Sequence, residues 1–163
     1  MSIATINING ITAHMKAGML AEFIRRHDFD IVYIQEVRDP GILTLQGYET
    51  HLNIGTTMRG TAIMAKRQHV LTNIRTIPSG RAISAQLRDV TLINIYAPSG
   101  SAHRTEREKF FNAELIHILQ EATTQVLLGG DFNCVLHPSD TTGQYHTSRA
   151  LAEIIRGMTM TDA

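Results

Sequence analysis

Four short apolar runs in this chain end in side chains that the interior of a strand does not favour. Asn7 and Asn9 flank Ile8, Glu36 follows Ile34-Gln35, Tyr96 follows Ile95, and Asp131 and Asn133 follow Leu128-Gly129-Gly130. Asp and Asn are depleted in strands and costly to bury unless they are hydrogen-bonded or bound to a cation. One Glu and one Asp with amide neighbours form an oxygen-rich set. Such a set suits a hard cation, Mg²⁺ first and Mn²⁺ as the alternative, which keeps most of its waters and takes one or two carboxylates plus a substrate phosphate. A cation at Glu36 would polarise a phosphoryl oxygen, Asn133 and the Tyr96 hydroxyl would donate to the same phosphate, and Asp131 would orient or deprotonate a water. Zinc fits less well. None of the eight histidines forms a short ligand pair such as His-x₃-His, and Cys134 is the one cysteine,.

The elements that would position these side chains follow from periodicity. Ile3 to Ile8 alternates as a strand, and His14 to His27 repeats at helical spacing with Met15, Met19 and Phe23 beside Leu20 and Ile24, a stripe read as core,. Phe29 to Ile34 and the Val126-Leu127-Leu128-Gly129 run read as buried strands,. Between them, short strands are expected near Glu49–Asn53, Thr61–Ala65, Asn73–Ile77, Ile83–Leu87 and Thr91–Tyr96, joined by turns at Arg59-Gly60, Pro78-Ser79-Gly80 and Arg88-Asp89,. Phe111, Leu115, Ile118, Leu119 and Ala122 mark a second helix, with the Arg104 to Lys109 charges on its first turns. Loop signals fill Pro138 to Gly143, and Ser148 to Arg156 is a third helix stopped by Gly157,. Strand ends that gather at one sheet edge let polar side chains reach solvent while the sheet holds them rigid, the usual place for a site in layered α/β proteins.

Composition narrows the class. A hydrophobic share of 43% and a charged share of 18% in 163 residues describe one ordinary globular domain, residues 1–163, and exclude a disordered or low-complexity chain,. No apolar run approaches the roughly 20 residues of a membrane span, and the N-terminus lacks the features of a signal peptide. A nuclear or cytoplasmic protein is expected, with Cys134 in the core. Net charge is zero, which argues against a nucleic-acid binder held by bulk electrostatics. The charge is unevenly spread: Arg59, Lys66, Arg67, Arg75, Arg81 and Arg88 form a basic stretch without acids, and Asp28 to Glu49 holds five acids. Such a stretch reads either as a solvated face or as a strip facing phosphates. His103 and His117 read as helix-surface or satisfied core residues.

The order of the motifs adds a resemblance. Ile6-Asn7-Ile8-Asn9-Gly10, Ile34-Gln35-Glu36, Asn94-Ile95-Tyr96-Ala97-Pro98 and Gly130-Asp131-Phe132-Asn133 resemble the successive motifs of the endonuclease/exonuclease/phosphatase superfamily, and within it the apurinic-like endonuclease domain of non-LTR (LINE-type) retrotransposons. The resemblance runs from Ile3 to about Ala163. It implies a two-sheet α/β sandwich of the four-layer DNase I-like kind. It also implies a divalent metal, DNA as the partner with no membrane and no obligate protein partner, and hydrolysis of a phosphodiester that nicks target DNA for target-primed reverse transcription. By the resemblance Glu36 is a metal ligand with Asn9 beside it, Asn7 and Asn133 hold the site and the phosphate, Tyr96 contacts the phosphate, and Asp131 aligns the attacking water.

Two departures qualify it. Relatives that repair abasic sites carry an acid where Asn9 stands, so the amide removes a charge and favours the retroelement branch. The superfamily also continues to further strands and a late Ser-Asp-His whose His and Asp act as an acid/base pair, whereas this sequence ends at Thr161-Asp162-Ala163. The expectation is roughly the first three quarters of such a domain, incomplete at the C-terminus, with an open sheet edge and an activity impaired by loss of an acid/base contribution of about 10²–10⁴-fold. The alternatives are an abasic-site nuclease or phosphatase of the same superfamily, and a non-catalytic remnant or binding module.

Overall fold

A computed structural model describes residues 1–10, 14–56, 59–141 and 146–161. The end of the expected 138–143 loop and the Met15 side chain fall outside the described residues. The chain divides into two compact units, Met1–Tyr96 with Thr123–Asp131, and Ala97–Ala122 with Phe132–Ala163.

Among the described residues the first unit holds eight strands: β1 (Ile3–Asn7), β2 (Ile31–Val37), β3 (Tyr48–Ile54), β4 (Gly60–Lys66), β5 (Thr72–Thr76), β6 (Ala82–Leu87), β7 (Val90–Tyr96) and β8 (Gln125–Asp131). They form two sheets ordered β1-β2-β4-β3 and β5-β6-β7-β8. The pairs β1·β2 and β7·β8 are parallel and the rest antiparallel. Each parallel pair brings two strand C-termini to the same edge, with Asn7 opposite Gln35 and Tyr96 opposite Asp131.

Ile31, Tyr33, Ile63 and Ala65 of the first sheet share a buried cluster with Ile83, Ala85, Leu87 and Leu92 of the second, the interdigitated interior of a sandwich. On the other face of the first sheet, Val32, Ile34, Ala62 and Met64 pack with Leu20 and Ile24 of α1 (His14–His27). The expected stripe on α1 is shifted: Met19 is 67% exposed and Phe23 46%, while Leu20 and Ile24 are buried. At about 100° per residue, turning Leu20 and Ile24 onto the sheet leaves the Met19–Phe23 row on the flank, where Phe23 packs its ring on His27 and Phe29. β8 also departs from the expected buried strand. It has one paired neighbour, and Leu127 is 37% exposed.

Polar side chains cross between the sheets. Gln35 Nε2 donates to Asn94 Oδ1 (2.7 Å) and Thr5 Oγ1 (2.9 Å), and Asn94 Nδ2 donates to the carbonyls of Ile34 and Ala62. Asn53 Nδ2 donates to the carbonyls of Ile77 and Ala82, and the Tyr33 hydroxyl to that of Leu127. Asn94 is fully buried, and each of its amide groups is satisfied, which is the condition for burying such a group without a large penalty.

In the second unit, a helical segment is α-helical over Arg104–Lys109 (α2) and Ile116–Glu121 (α3), with a π-helical turn at Phe110–Leu115 between them. α4 (Arg149–Gly157) is capped by Ser148, whose hydroxyl accepts from the Leu151 N–H. Glu108 reaches the same helix start and accepts from the Ala150 N–H at 3.0 Å. Among the charges on the first turns, Arg107 is fully buried and donates to the carbonyls of Pro98 and Gly100. Cys134 is half-buried rather than core, on the irregular stretch after Asp131. Among the described residues no helix is long and apolar enough to cross a membrane.

Candidate active site

Three of the expected residues meet at the shared strand edge of the first unit. The Asn7 amide nitrogen lies 2.7 Å from Asp131 Oδ2 and 3.2 Å from Glu36 Oε1, donating one hydrogen to each carboxylate. Its carbonyl oxygen accepts the Asn9 backbone N–H at 2.8 Å, an Asx turn that satisfies the strand end. Each amide atom therefore has a defined task, and Asn7 spans the two sheets.

Backbone geometry aims the carboxylates. β2 pairs regularly with β4 as far as Gln35↔Thr61 and resumes at Val37↔Gly60, so Glu36 is an extra residue in the ladder. A bulge of this kind re-aims a side chain and is common beside functional sites. Glu36 has φ 60° there, and Asn9 and Asn133 also have positive φ, 47° and 49°. Asn tolerates that region, whereas a Glu in it costs of order 1–3 kcal/mol that the surrounding fold must hold. Glu36 is 9% exposed. Gly130 has φ 130°, and a Cβ there would meet the Ile95 carbonyl, so only glycine lets β8 lie against β7 while delivering Asp131 opposite Tyr96,.

Tyr96 joins through two arginines. The residue as a whole is 2% exposed. Arg81 lies with its guanidinium carbon 5.5 Å from the ring centroid and donates Nη1 to the Tyr96 carbonyl, while the Tyr96 N–H donates to the Arg81 carbonyl at 2.7 Å. Arg59 Nη1 donates to the Tyr96 hydroxyl at 3.4 Å and lies 4.0 Å from Glu36 Oε2. Asn133, in the second unit, donates from its side chain to the Ala97 carbonyl at 2.8 Å.

The basic stretch is thus split. Arg59 and Arg81 stand at Tyr96, but Lys66 is bonded to Asp28 and Asp30 at the other end of β4, where Asp28 raises the lysine's affinity for its proton. The Ser2 N–H, then His69 and Lys66, hold the Asp30 carboxyl well below the usual carboxylate range.

Sequence reasoning did not assign Gln35 and Asn94 to this neighbourhood, and it offered Arg59 and Arg81 only as members of a basic stretch, without placing them at Tyr96. Gln35 and Asn94 carried a signal, since each interrupts an apolar strand and has to find a buried partner. The two arginines carried none beyond their charge, because register places Arg59 beside Glu36 through the Val37↔Gly60 pair.

Among the described residues no three His, Cys, Asp or Glu side chains group as a self-sufficient metal cage. Glu36, tied through the Asn7 amide to Asp131, offers instead a single carboxylate in an oxygen-rich setting, a partial donor set. That fits a hard divalent cation that retains waters and completes its shell with substrate oxygens, and not Zn²⁺.

A sequence profile of the endonuclease/exonuclease/phosphatase family matches residues 4–153. An exodeoxyribonuclease of Bacillus subtilis (strain 168) is 26% identical over 147 residues, covering 82% of this chain and 58% of that protein. The AP endonuclease of Archaeoglobus fulgidus superposes with a TM-score of 0.71 at 21% identity, over 88% of this chain and 62% of its own. The 3′ phosphatase NExo from Neisseria, solved with a product DNA hairpin, gives a TM-score of 0.76 at 20% identity, over 96% and 69%. The two-sheet α/β sandwich is the fold common to these structures and this one. The chain spans less than two thirds of the length of the bacterial exodeoxyribonuclease and of the archaeal endonuclease.

Proposed function

The chain belongs to the endonuclease/exonuclease/phosphatase family, and from that premise we propose that it is the metal-dependent, DNA-nicking part of a non-LTR retrotransposon endonuclease, serving target-primed reverse transcription. The observation that carries the reading is the Asn7 amide bonded to both Glu36 and Asp131. It fixes two carboxylates from different sheets in one geometry before any substrate arrives, which is the preorganisation that phosphoryl chemistry needs.

In this reading Glu36, with Asn9 as the second ligand the resemblance implies, would hold a Mg²⁺ or Mn²⁺ ion. When bound, that cation offsets the negative charge gained on the phosphoryl oxygens. Asp131 orients the attacking water and accepts its proton, and Asn7 keeps Asp131 aimed. The Tyr96 hydroxyl donates to a non-bridging phosphate oxygen, and the resemblance adds Asn133 to the phosphate contacts. The retroelement assignment rests on the ordered motifs and on Asn9 standing where repair relatives carry an acid.

The test is nicking of supercoiled plasmid by a polypeptide carrying these residues. Conversion to open circles that requires Mg²⁺ and falls at least about 100-fold in Glu36→Ala is expected. Equal nicking by both proteins overturns the reading.

A second reading, an abasic-site nuclease or a phosphatase, follows the two superposed proteins, an AP endonuclease and a 3′ phosphatase. A strong preference for an abasic duplex or a 3′-phosphate over intact plasmid would select it.

A further inference from the structure

Arg59 has the position of a substrate ligand rather than of a surface charge. It directly precedes β4, where the Glu36 bulge re-enters register at Val37↔Gly60, so the backbone that displaces Glu36 also sets Arg59 next to it. The other side of that backbone is closed by Gly80, where a Cβ would lie 3.0 Å from the Arg59 carbonyl. The side chain is 44% exposed, against 12% for Glu36. Its Nη1 lies 3.4 Å from the Tyr96 hydroxyl and 4.0 Å from Glu36 Oε2. Neither is a close charge-assisted pair, which forms at about 2.7–2.9 Å.

We infer that Arg59 binds a phosphate oxygen of the DNA at this site and, by donating to the Tyr96 oxygen, keeps the Tyr96 O–H available as a second donor. The inference rests on the DNA-nicking reading above and adds to it a residue and a task. A guanidinium presents five N–H donors in a rigid fork suited to two oxygens of one phosphate. One arm is spent on the phenol oxygen, and the remaining donors suit an oxyanion arriving from the open side. A phenol oxygen that accepts from Arg59 keeps its own hydrogen for another acceptor. Arg81, bonded to the Tyr96 carbonyl and lying over its ring, supports Tyr96 and leaves the hydroxyl to Arg59.

The experiment is fluorescence anisotropy of a labelled, uncleavable phosphorothioate duplex, titrated without divalent metal across NaCl concentrations. Each phosphate neutralised contributes about 0.9 to the slope of log K against log salt. Arg59→Ala should lower the slope by about 0.9, and Arg59→Lys should restore the slope while binding more weakly. Arg88→Ala, at the β6–β7 turn at the opposite end of β7 from Tyr96, should leave the slope unchanged. A slope unaltered in Arg59→Ala while the parent binds DNA overturns the inference and leaves the nicking reading standing. An equal loss in Arg88→Ala reveals diffuse attraction and also overturns it. Absence of any salt-dependent binding by the parent overturns both. If Arg59 only balances the charge of Glu36, Arg59→Ala instead tightens Mn²⁺ binding with no change of slope.

Discussion

Asn7 and Asp131, 124 positions apart, meet at 2.7 Å, and the same amide nitrogen reaches Glu36 at 3.2 Å. A neutral donor between two carboxylates lets them sit close together without a buried countercharge. Two sheets are tied at their shared edge by the groups proposed to do the chemistry.

Removing that amide should separate activity from stability. Asn7 bonds two carboxylates and its own turn but is exposed, so Asn7→Ala is expected to cost about 1–2 kcal/mol of unfolding stability, leaving the chain folded. Plasmid nicking should fall about 100-fold. A loss of stability that accounts for the loss of nicking would contradict the assignment.

The buried amide at Asn94 should behave in the opposite way. Asn94→Leu removes one of the two acceptors of Gln35 Nε2 and the side-chain donor of two backbone carbonyls, and lost buried hydrogen bonds cost about 0.5–1.5 kcal/mol each. Urea unfolding should register a loss of roughly 2–4 kcal/mol. A neutral outcome would mean that the sheets do not depend on this bridge.

Gly130→Ala should be among the most damaging single-methyl changes in the first unit. It combines a φ of 130° with contact against the Ile95 carbonyl, and disfavoured backbone alone costs of order 1–3 kcal/mol. Thermal unfolding of Gly130→Ala beside Gly18→Ala, where a Cβ meets nothing within 4 Å, provides the comparison. A similar Tm for the two variants would refute it.

Acid should weaken the knot around Asp30. The Ser2 N–H, His69 and Lys66 lower its folded pKa, so the folded state binds this proton less readily than the unfolded state, where the carboxyl titrates near about 3.9. The contribution is fully present above that pH and lost as pH falls toward the folded value. Unfolding measured from pH 7 downward should show an Asp30→Asn penalty that shrinks below about pH 4. A penalty independent of pH would contradict the account.

Much of this fold was legible in the sequence because its strands are short, apolar and punctuated. All eight strands lie within a few residues of their expected positions, and α1 spans His14–His27 as the periodicity indicates. The shifted face of α1 was not legible. Met19–Phe23 and Leu20–Ile24 are equally good i,i+4 rows, and only packing on the sheet selects one. The bulge at Glu36 was hidden for a related reason: a positive φ leaves no mark on residue type unless glycine or asparagine supplies it. In the candidate site, the strand-end rule singled out Asn7, Glu36, Tyr96 and Asp131, which lie at one edge, whereas the placing of Arg59 and Arg81 depends on cross-strand register, which a local reading cannot supply.

The most direct test of the central claim, that Glu36 holds a divalent cation at the edge where Asn7 ties it to Asp131, is Mn²⁺ titration followed by electron paramagnetic resonance on the parent and on Glu36→Gln. The account predicts one Mn²⁺ site per chain in the parent, displaced by excess Mg²⁺, with affinity at least about tenfold weaker in Glu36→Gln. Equal Mn²⁺ binding by the two proteins would contradict it.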